Sequence, residues 1–278
     1  MFAVLLLPLL ASALAAVACG AVGSLMLVRR DTYAAGAVSH ACFAGLGAAQ
    51  YLSVVHGAAW ATPTLGAMCA AVAAALFLAL SPAARTGGSD AALSALWAVG
   101  MAVGLVFLAA TPDYQGDLLG YLFGSILFVS RADLAEMAVF DLVLLACLAL
   151  FWRGLLAVSF NARLAELRGA RARLYACVAS LMTALGAVML ARLVGIVLVI
   201  ALLALPALAA RRLVRRLAPM MAVAGLLAFA SMGSGLLLSW AFDCQPSAPT
   251  VFAAAALALA ARLLSPMLRP RTAPRRPS

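Results

Sequence analysis

LLGYLFGSILFVS, residues 118–130, decides how often this chain crosses a bilayer. The stretch is strongly apolar, yet Asp117 and Arg131 close it at both ends. About 13 residues of helix reach only about 20 Å, whereas a hydrocarbon core of about 30 Å takes about 20 residues of helix to cross. It is too short to span. A short re-entrant helix, dipping in and returning on the same side under the shelter of its neighbours, is the expected structure.

Cutting the flanking apolar runs at their charged or turn-rich breaks gives nine spans: 3–28, 33–55, 60–80, 92–110, 134–152, 174–191, 193–210, 218–240 and 250–268. With residues 118–130 kept on one side, the arginines sort by face. Seventeen of them, from Arg29 and Arg30 through the 153–173 cluster to Arg276, fall on one side, and only Arg131 and Arg192 fall on the other. The positive-inside rule makes the first side the cytoplasm. The N-terminus is then outside with Asp113, Asp117 and Asp243, and the C-terminus is cytoplasmic. Counting residues 118–130 as a full span would throw the 153–173 cluster outside. The expected fold class is all-α: a polytopic transmembrane helical bundle of about nine spans, eight being the next count, plus the re-entrant helix. Residues 1–268 form one membrane domain, and residues 269–278, RPRTAPRRPS, read as a disordered basic tail against anionic lipid.

Composition agrees. Of 278 residues, 67% are hydrophobic and 10% charged, with a mean hydropathy of +1.13, far from the range of a water-soluble domain. All nineteen cations are arginine. Without a lysine the chain encodes neither a Walker A loop nor a Schiff-base enzyme, so any ATP hydrolysis belongs to a separate subunit. The net charge of +10 sits beside apolar runs, which argues for membrane topology and against nucleic acid. Five of the six cysteines lie in apolar stretches without metal-ligand spacing, and no disulfide framework is expected. The opening run carries no charge before Arg29, so it reads as a first span rather than a signal peptide.

Ionisable groups inside a membrane are costly and are functional candidates by default. His40 follows Arg30 by ten residues, about 15 Å of helix, and so lies near the midplane. It sits in GAVSHACFAG, whose small residues allow close helix approach or a watered path. The plain alternative is a packing histidine bonded to a backbone carbonyl. Asp141 interrupts MAVFDLVLLACLALF. A carboxyl without a transport role is an equal reading there, and Glu136, five residues away, shares its face only loosely. In ALPALAARRLVRRLAP, residues 204–219, Pro206 interrupts a helix near its inner end. Arg211 with Arg215 and Arg212 with Arg216 then share faces of a short basic surface helix, either a membrane anchor or a docking element for a cytoplasmic partner. The inner loop 159–173 has helical composition and could meet the same partner.

Four ordered segments resemble the membrane permeases of zinc, manganese and iron ABC importers: LVRRDTYAAGAVSHACFAG at 27–45, DLLGYLFGSILFVSRADL at 117–134, VLVIALLALPALAARRL at 197–213 and LLLSWAFDCQPSAPTVF at 236–252. The resemblance implies a fold similar to vitamin B12-type ABC importer permeases and a bacterial plasma (inner) membrane location. It implies pairing with a second permease copy, identical or paralogous, and cytoplasmic ABC ATPase subunits engaged through a coupling helix. It also implies an extracytoplasmic metal-binding protein. By position, 206–219 supplies the coupling helix, with Arg211 and Arg212 near its start. Such permeases often carry an acid one turn before the histidine; here Gly36 stands in that place, and Asp31 belongs instead at the membrane edge beside Arg29 and Arg30. The implied protein is a permease, not an enzyme, with no stably bound cofactor: a divalent metal passes the His40 region, and ATP is hydrolysed elsewhere; Asp141 joins His40 as a metal-path candidate by its place in an apolar run alone. A proton-coupled secondary transporter using His40 and Asp141 as a relay fits the intramembrane charges as well. An intramembrane hydrolase built on Ser39, His40 and Asp141 does not, because Ser39 and His40 point about 100° apart on a helix.

Overall fold

Unbroken apolar composition at helical length leaves the backbone one way to satisfy its N–H and C=O groups in lipid, which is to bond within each helix. The computed structural model describes residues 2–80, 89–112, 124, 126, 129–167, 169 and 171–268. Among them it shows α1 (Phe2–Arg29), α2 (Thr32–His56), α3 (Pro63–Leu80), α4 (Ser89–Ala109), α5 (Arg131–Leu167), α6 (Ala172–Val194), α7 (Ile196–Leu213), α8 (Leu217–Phe242) and α9 (Ser247–Leu268). Six of the nine expected spans fall inside one of these helices, 92–110 overhangs by one residue, 60–80 begins three residues before α3, and 193–210 begins inside α6, three residues before α7. All nine are long and apolar enough to cross a membrane. The re-entrant expectation for 118–130 and the tail 269–278 lie largely or wholly outside the described residues.

Three local structures differ from the expectation, each for a physical reason. First, α5 runs on to Leu167, and the break comes at Asn161, whose backbone (φ −158°, ψ 94°) leaves the helix. The Asn161 carboxamide oxygen accepts from the Leu164 N–H at 3.0 Å, capping a new start in the segment expected to be a helical inner loop. Second, α6 and α7 are separated by Gly195 alone, at φ 87° and ψ 153°. That backbone is open to glycine and hostile to a side chain, so the chain turns in one residue. Third, the basic surface helix is not formed. Pro206 lies inside a continuous α7, which ends at Leu213; Val214 is extended (φ −131°, ψ 144°), and α8 begins at Leu217. Arg211 and Arg212 are therefore the last turn of a membrane helix, Arg215 and Arg216 lie in the connection, and the expected i, i+4 faces do not exist.

The helices sort into two packed groups. In one, α1 is sheathed by α5, α6, α7 and α8, and the filling comes from Leu25, Met26, Met137, Leu155, Leu190, Leu202 and Leu203. In the other, α2 packs on α3 and α4 and is filled mostly by alanine with Val38, Phe43 and Leu108. α6 contributes to both. Large exposed side chains such as Leu142, Leu150 and Phe252, each more than 70% accessible, would mark a soluble protein as misfolded; here they face lipid.

Candidate functional site

α2 places its functional side chains by giving up bulk around them. Gly45 and Gly66 meet so closely that a Cβ built on either would lie 2.0 or 2.1 Å from the other's carbonyl oxygen. On α4, Gly100 and Gly104 take the backbone of α2 at Ala41 and Phe43 in the same way. Small residues drive such contacts because lipid offers no hydrophobic gain for helix association, leaving van der Waals approach to hold the helices together.

Between these contacts sits His40, 8% exposed. Its Nδ1 lies 2.9 Å from the Gly36 carbonyl oxygen one turn back. A carbonyl can only accept, so the bonded tautomer carries its proton on Nδ1 and leaves Nε2 with the free lone pair. One ring face is covered by Trp97 of α4, stacked at 4.3 Å between centroids and 28° between planes. The same indole occupies the space above Gly36, where an added Cβ would come within 3.0 Å of it. Trp97 thus fills the volume that an acid at position 36 would enter. One residue along, the Ser39 hydroxyl donates to the Ala35 carbonyl at 2.8 Å, and Ser39 and Cys42 line a cavity of about 200 Å³ between α2, α3, α6 and α7. Arg192 also lines it, engaged by Asp133 of α5 at 3.1 Å and by Glu136.

Asp141 belongs to the other group. It lies on the buried stripe of α5 with Met137, Leu144 and Leu148, 4% exposed, and neither carboxylate oxygen has a hydrogen-bond partner. Its electrostatic neighbour is Cys19 of α1. Glu136 turns instead to Arg192. His40 and Asp141 are therefore set in separate packed groups, each with its own neighbours, and among the described residues no hydrogen bond or ion pair links them. Among the described residues no three His, Cys, Asp or Glu side chains converge on a point that could hold a metal ion. At the arginine-rich end, Asp31 pairs with Arg29 at 3.0 Å, as its place at the membrane edge requires.

Sequence reasoning missed Trp97 and the Arg192–Asp133–Glu136 cluster. The signal for the second was present: Arg192 is one of two arginines on the acidic side, and a lone cation at a membrane edge seeks an acid. Trp97 had no comparable signal, because an aromatic residue in an apolar run reads as core.

Lipid-facing nonpolar helices around buried ionisable groups define the class as a polytopic α-helical membrane protein. The chain belongs to the ABC 3 transport family, whose model matches residues 1–265. A membrane protein of Synechocystis sp. is 34% identical over 246 residues, covering 88% of this chain and 85% of the relative. The manganese transport system membrane protein MntC of Halalkalibacterium halodurans is 29% identical over 258 residues, 93% of this chain and 86% of its own. The fold matches a chain of PsaBC from Streptococcus pneumoniae, solved in complex with a Fab. That match has a TM-score of 0.81 at 24% identity and covers 96% of this chain and 93% of that one.

Proposed function

We propose that this chain is the transmembrane permease subunit of an ATP-binding-cassette importer for a divalent metal ion, manganese, zinc or iron, working by alternating access. The observation that carries the reading is family membership along residues 1–265, with a relative named for manganese transport aligned over 93% of the chain. The lysine-free sequence supports it from the other direction, since hydrolysis has to be borrowed from a cytoplasmic ATPase. Two permease copies would form the path, with an extracytoplasmic binding protein delivering the ion. His40 offers Nε2 as a single ligand. One imidazole holds a transition metal weakly, which suits transport because the ion has to be released. Asp141, uncompensated in the bundle, is the second group proposed for the path. The end of α7 and its connection, with Pro206, Arg211, Arg212, Arg215 and Arg216, is the proposed contact for the ATPase; motion there would tilt α7 and α8 and switch access from one side to the other.

The test is uptake into vesicles reconstituted with this chain, its ATPase and its binding protein. ATP-dependent accumulation of manganese, zinc or iron is expected, with His40→Ala lowering it by roughly tenfold or more while the protein stays folded in the bilayer. Accumulation by this chain alone, driven by a proton gradient, would overturn the assignment.

A further inference from the structure

The bundle carries a second polar feature, at its arginine-rich end and away from His40. The ends of α1, α5 and α7 and the start of α8 line an open cavity of about 700 Å³ with Arg29, Arg30, Arg211 and Arg215 on its wall, the last three exposed. Arg29 is committed to the bundle through Asp31, the Ala176 carbonyl at 3.5 Å and the Ser180 hydroxyl at 3.4 Å. Among the described residues, the guanidinium groups of Arg30, Arg211 and Arg215 have no hydrogen-bond or ion-pair partner. The cavity wall also holds Ser159, 8% exposed, whose hydroxyl has no partner among the described residues. A buried orphan hydroxyl beside three unneutralised guanidiniums is an incomplete arrangement. It lacks an anion that accepts several hydrogen bonds at once, and a phosphate oxygen cluster does so, with arginine as its preferred donor.

The surroundings choose among phosphates. A groove of about 530 Å³, lined wholly by apolar residues, lies on the outer surface of α1, α5 and α8, three of the four helices that form the cavity. On α8 its lining runs from Met221, the residue after the cavity's Met220, to Leu226 and Phe229, both exposed, while on α1 and α5 it lies seven and ten residues from the cavity, at Ala21 against Val28 and at Leu148 against Val158. From residue 220 to 229 that is about 13 Å along the helix, toward the midplane. A charged chamber at the membrane edge with an apolar trough deeper along the same helices matches the order of polarity in a phospholipid, headgroup at the edge and acyl chain below. A free phosphate would leave the trough unused.

We propose that this chain holds one anionic phospholipid, its phosphate among Arg30, Arg211, Arg215 and Ser159 and an acyl chain along the α1–α5–α8 groove. The site shares Arg211 and Arg215 with the proposed ATPase contact, so it is read on the chain without the ATPase, where loss of lipid and loss of docking are separate measurements. The full chain is purified in mild detergent, and native mass spectrometry follows retained lipid during titration with phosphatidylglycerol, with phosphatidylcholine of the same acyl chains, and with inorganic phosphate. One phosphatidylglycerol is expected to remain where phosphatidylcholine washes off. Neutralising two arginines, Arg30→Gln with Arg215→Gln, should weaken it roughly thirtyfold. Ala222→Trp, which fills the groove, should weaken the lipid and leave phosphate unchanged. Should the double variant fail to fold, Ser159→Ala removes one donor and keeps every charge, and it too should loosen the lipid. Equal retention of the two lipids, no retention, or a Ser159→Ala chain that binds as before overturns the proposal. So does phosphate binding as tightly as lipid with no effect of Ala222→Trp, which would mean a free anion site. Chain-to-chain crosslinking through Leu226→Cys that shuts lipid out would mean a second copy covers the groove.

Discussion

His40 and Asp141 are both ionisable side chains buried in a membrane bundle, and the two helix groups that hold them treat them in opposite ways. The α2–α3–α4 group closes tightly on glycine contacts and satisfies its histidine completely on one side, through the Gly36 carbonyl and the Trp97 ring. The α1–α5 interface is filled with larger side chains, and it leaves both oxygens of its aspartate without a partner. A satisfied polar group adds stability and fixes geometry; an orphan costs about 1–3 kcal/mol and persists in a protein that uses it. The difference teaches that His40 is positioned, with Nε2 presented in one direction, whereas Asp141 is buried and held without a hydrogen-bond partner among the described residues.

The comparison breaks most completely at the glycines. Gly45→Leu drives a side chain into the Gly66 carbonyl, which is backbone and has nowhere to go. The expected cost is about 3 kcal/mol or more, seen as a lowered unfolding midpoint in detergent and loss of protein from membranes. Gly233 on α8 has nothing within 4 Å of its built Cβ, so Gly233→Ala should be tolerated and even gain a few tenths to about 1 kcal/mol of helix propensity. Equal sensitivity at the two sites would show that close approach is not what holds α2 in place.

Asp141 comes next. Replacing it with leucine removes an unsatisfied buried group and should raise stability by about 1–3 kcal/mol, while uptake by the reconstituted importer falls. A stability loss would reveal a partner for the carboxylate. Raised stability with unchanged uptake would take Asp141 out of the path and leave His40 alone there.

How much of this was legible in the sequence depends on the range of the interaction. Hydropathy over some 20 residues is a sum, and sums survive local error, so all nine helices stand where the apolar runs placed them. The connection after α7 was misread because arginine spacing at i and i+4 suits a helix equally whether or not the chain continues as one. Val214 breaks it, and β-branching alone does not announce that. His40 and Asp141 stood out individually, since charge in an apolar run is visible one residue at a time. Their separation did not, because it depends on which helix lies beside which, and an alanine-rich sequence carries little information about neighbours. The cavity behind Arg30 was hidden for the same reason: its arginines come from α1, α7 and the connection to α8, and each alone reads as an ordinary membrane-edge cation.

Trp97 sharpens the comparison at a smaller scale. Trp97→Ala should cost about 1 kcal/mol in ring stacking beyond the area it unburies, and it should expose the imidazole, raising the rate at which diethyl pyrocarbonate modifies His40. Trp97→Phe keeps a ring there and should change that rate little. Were both variants to leave the modification rate unchanged, the covered face would not govern access to the imidazole, and His40 would be reached only from the Nε2 side.

Arg192 is the joint between the two groups, and its effect should be the smallest. It stands near the end of α6, which packs against both, lines the cavity beside Ser39 and Cys42, and reaches Asp133 and Glu136 at the start of α5. The arginine is 28% accessible and its partners 32% and 51%, so water screens the cluster and the bonds carry little net energy. Arg192→Met should therefore cost under about 1 kcal/mol, and less in high salt than in low, because the wild-type bonds weaken as salt rises and the methionine has none to lose. The variant nonetheless strips the cation from the cavity mouth and leaves two uncompensated carboxylates beside it. If that cavity admits a divalent cation, uptake at low metal concentration should hold steady or rise while stability barely moves. A drop in uptake that tracks a drop in stability would assign Arg192 to holding the groups together, and the cavity behind it would not be an entry for metal.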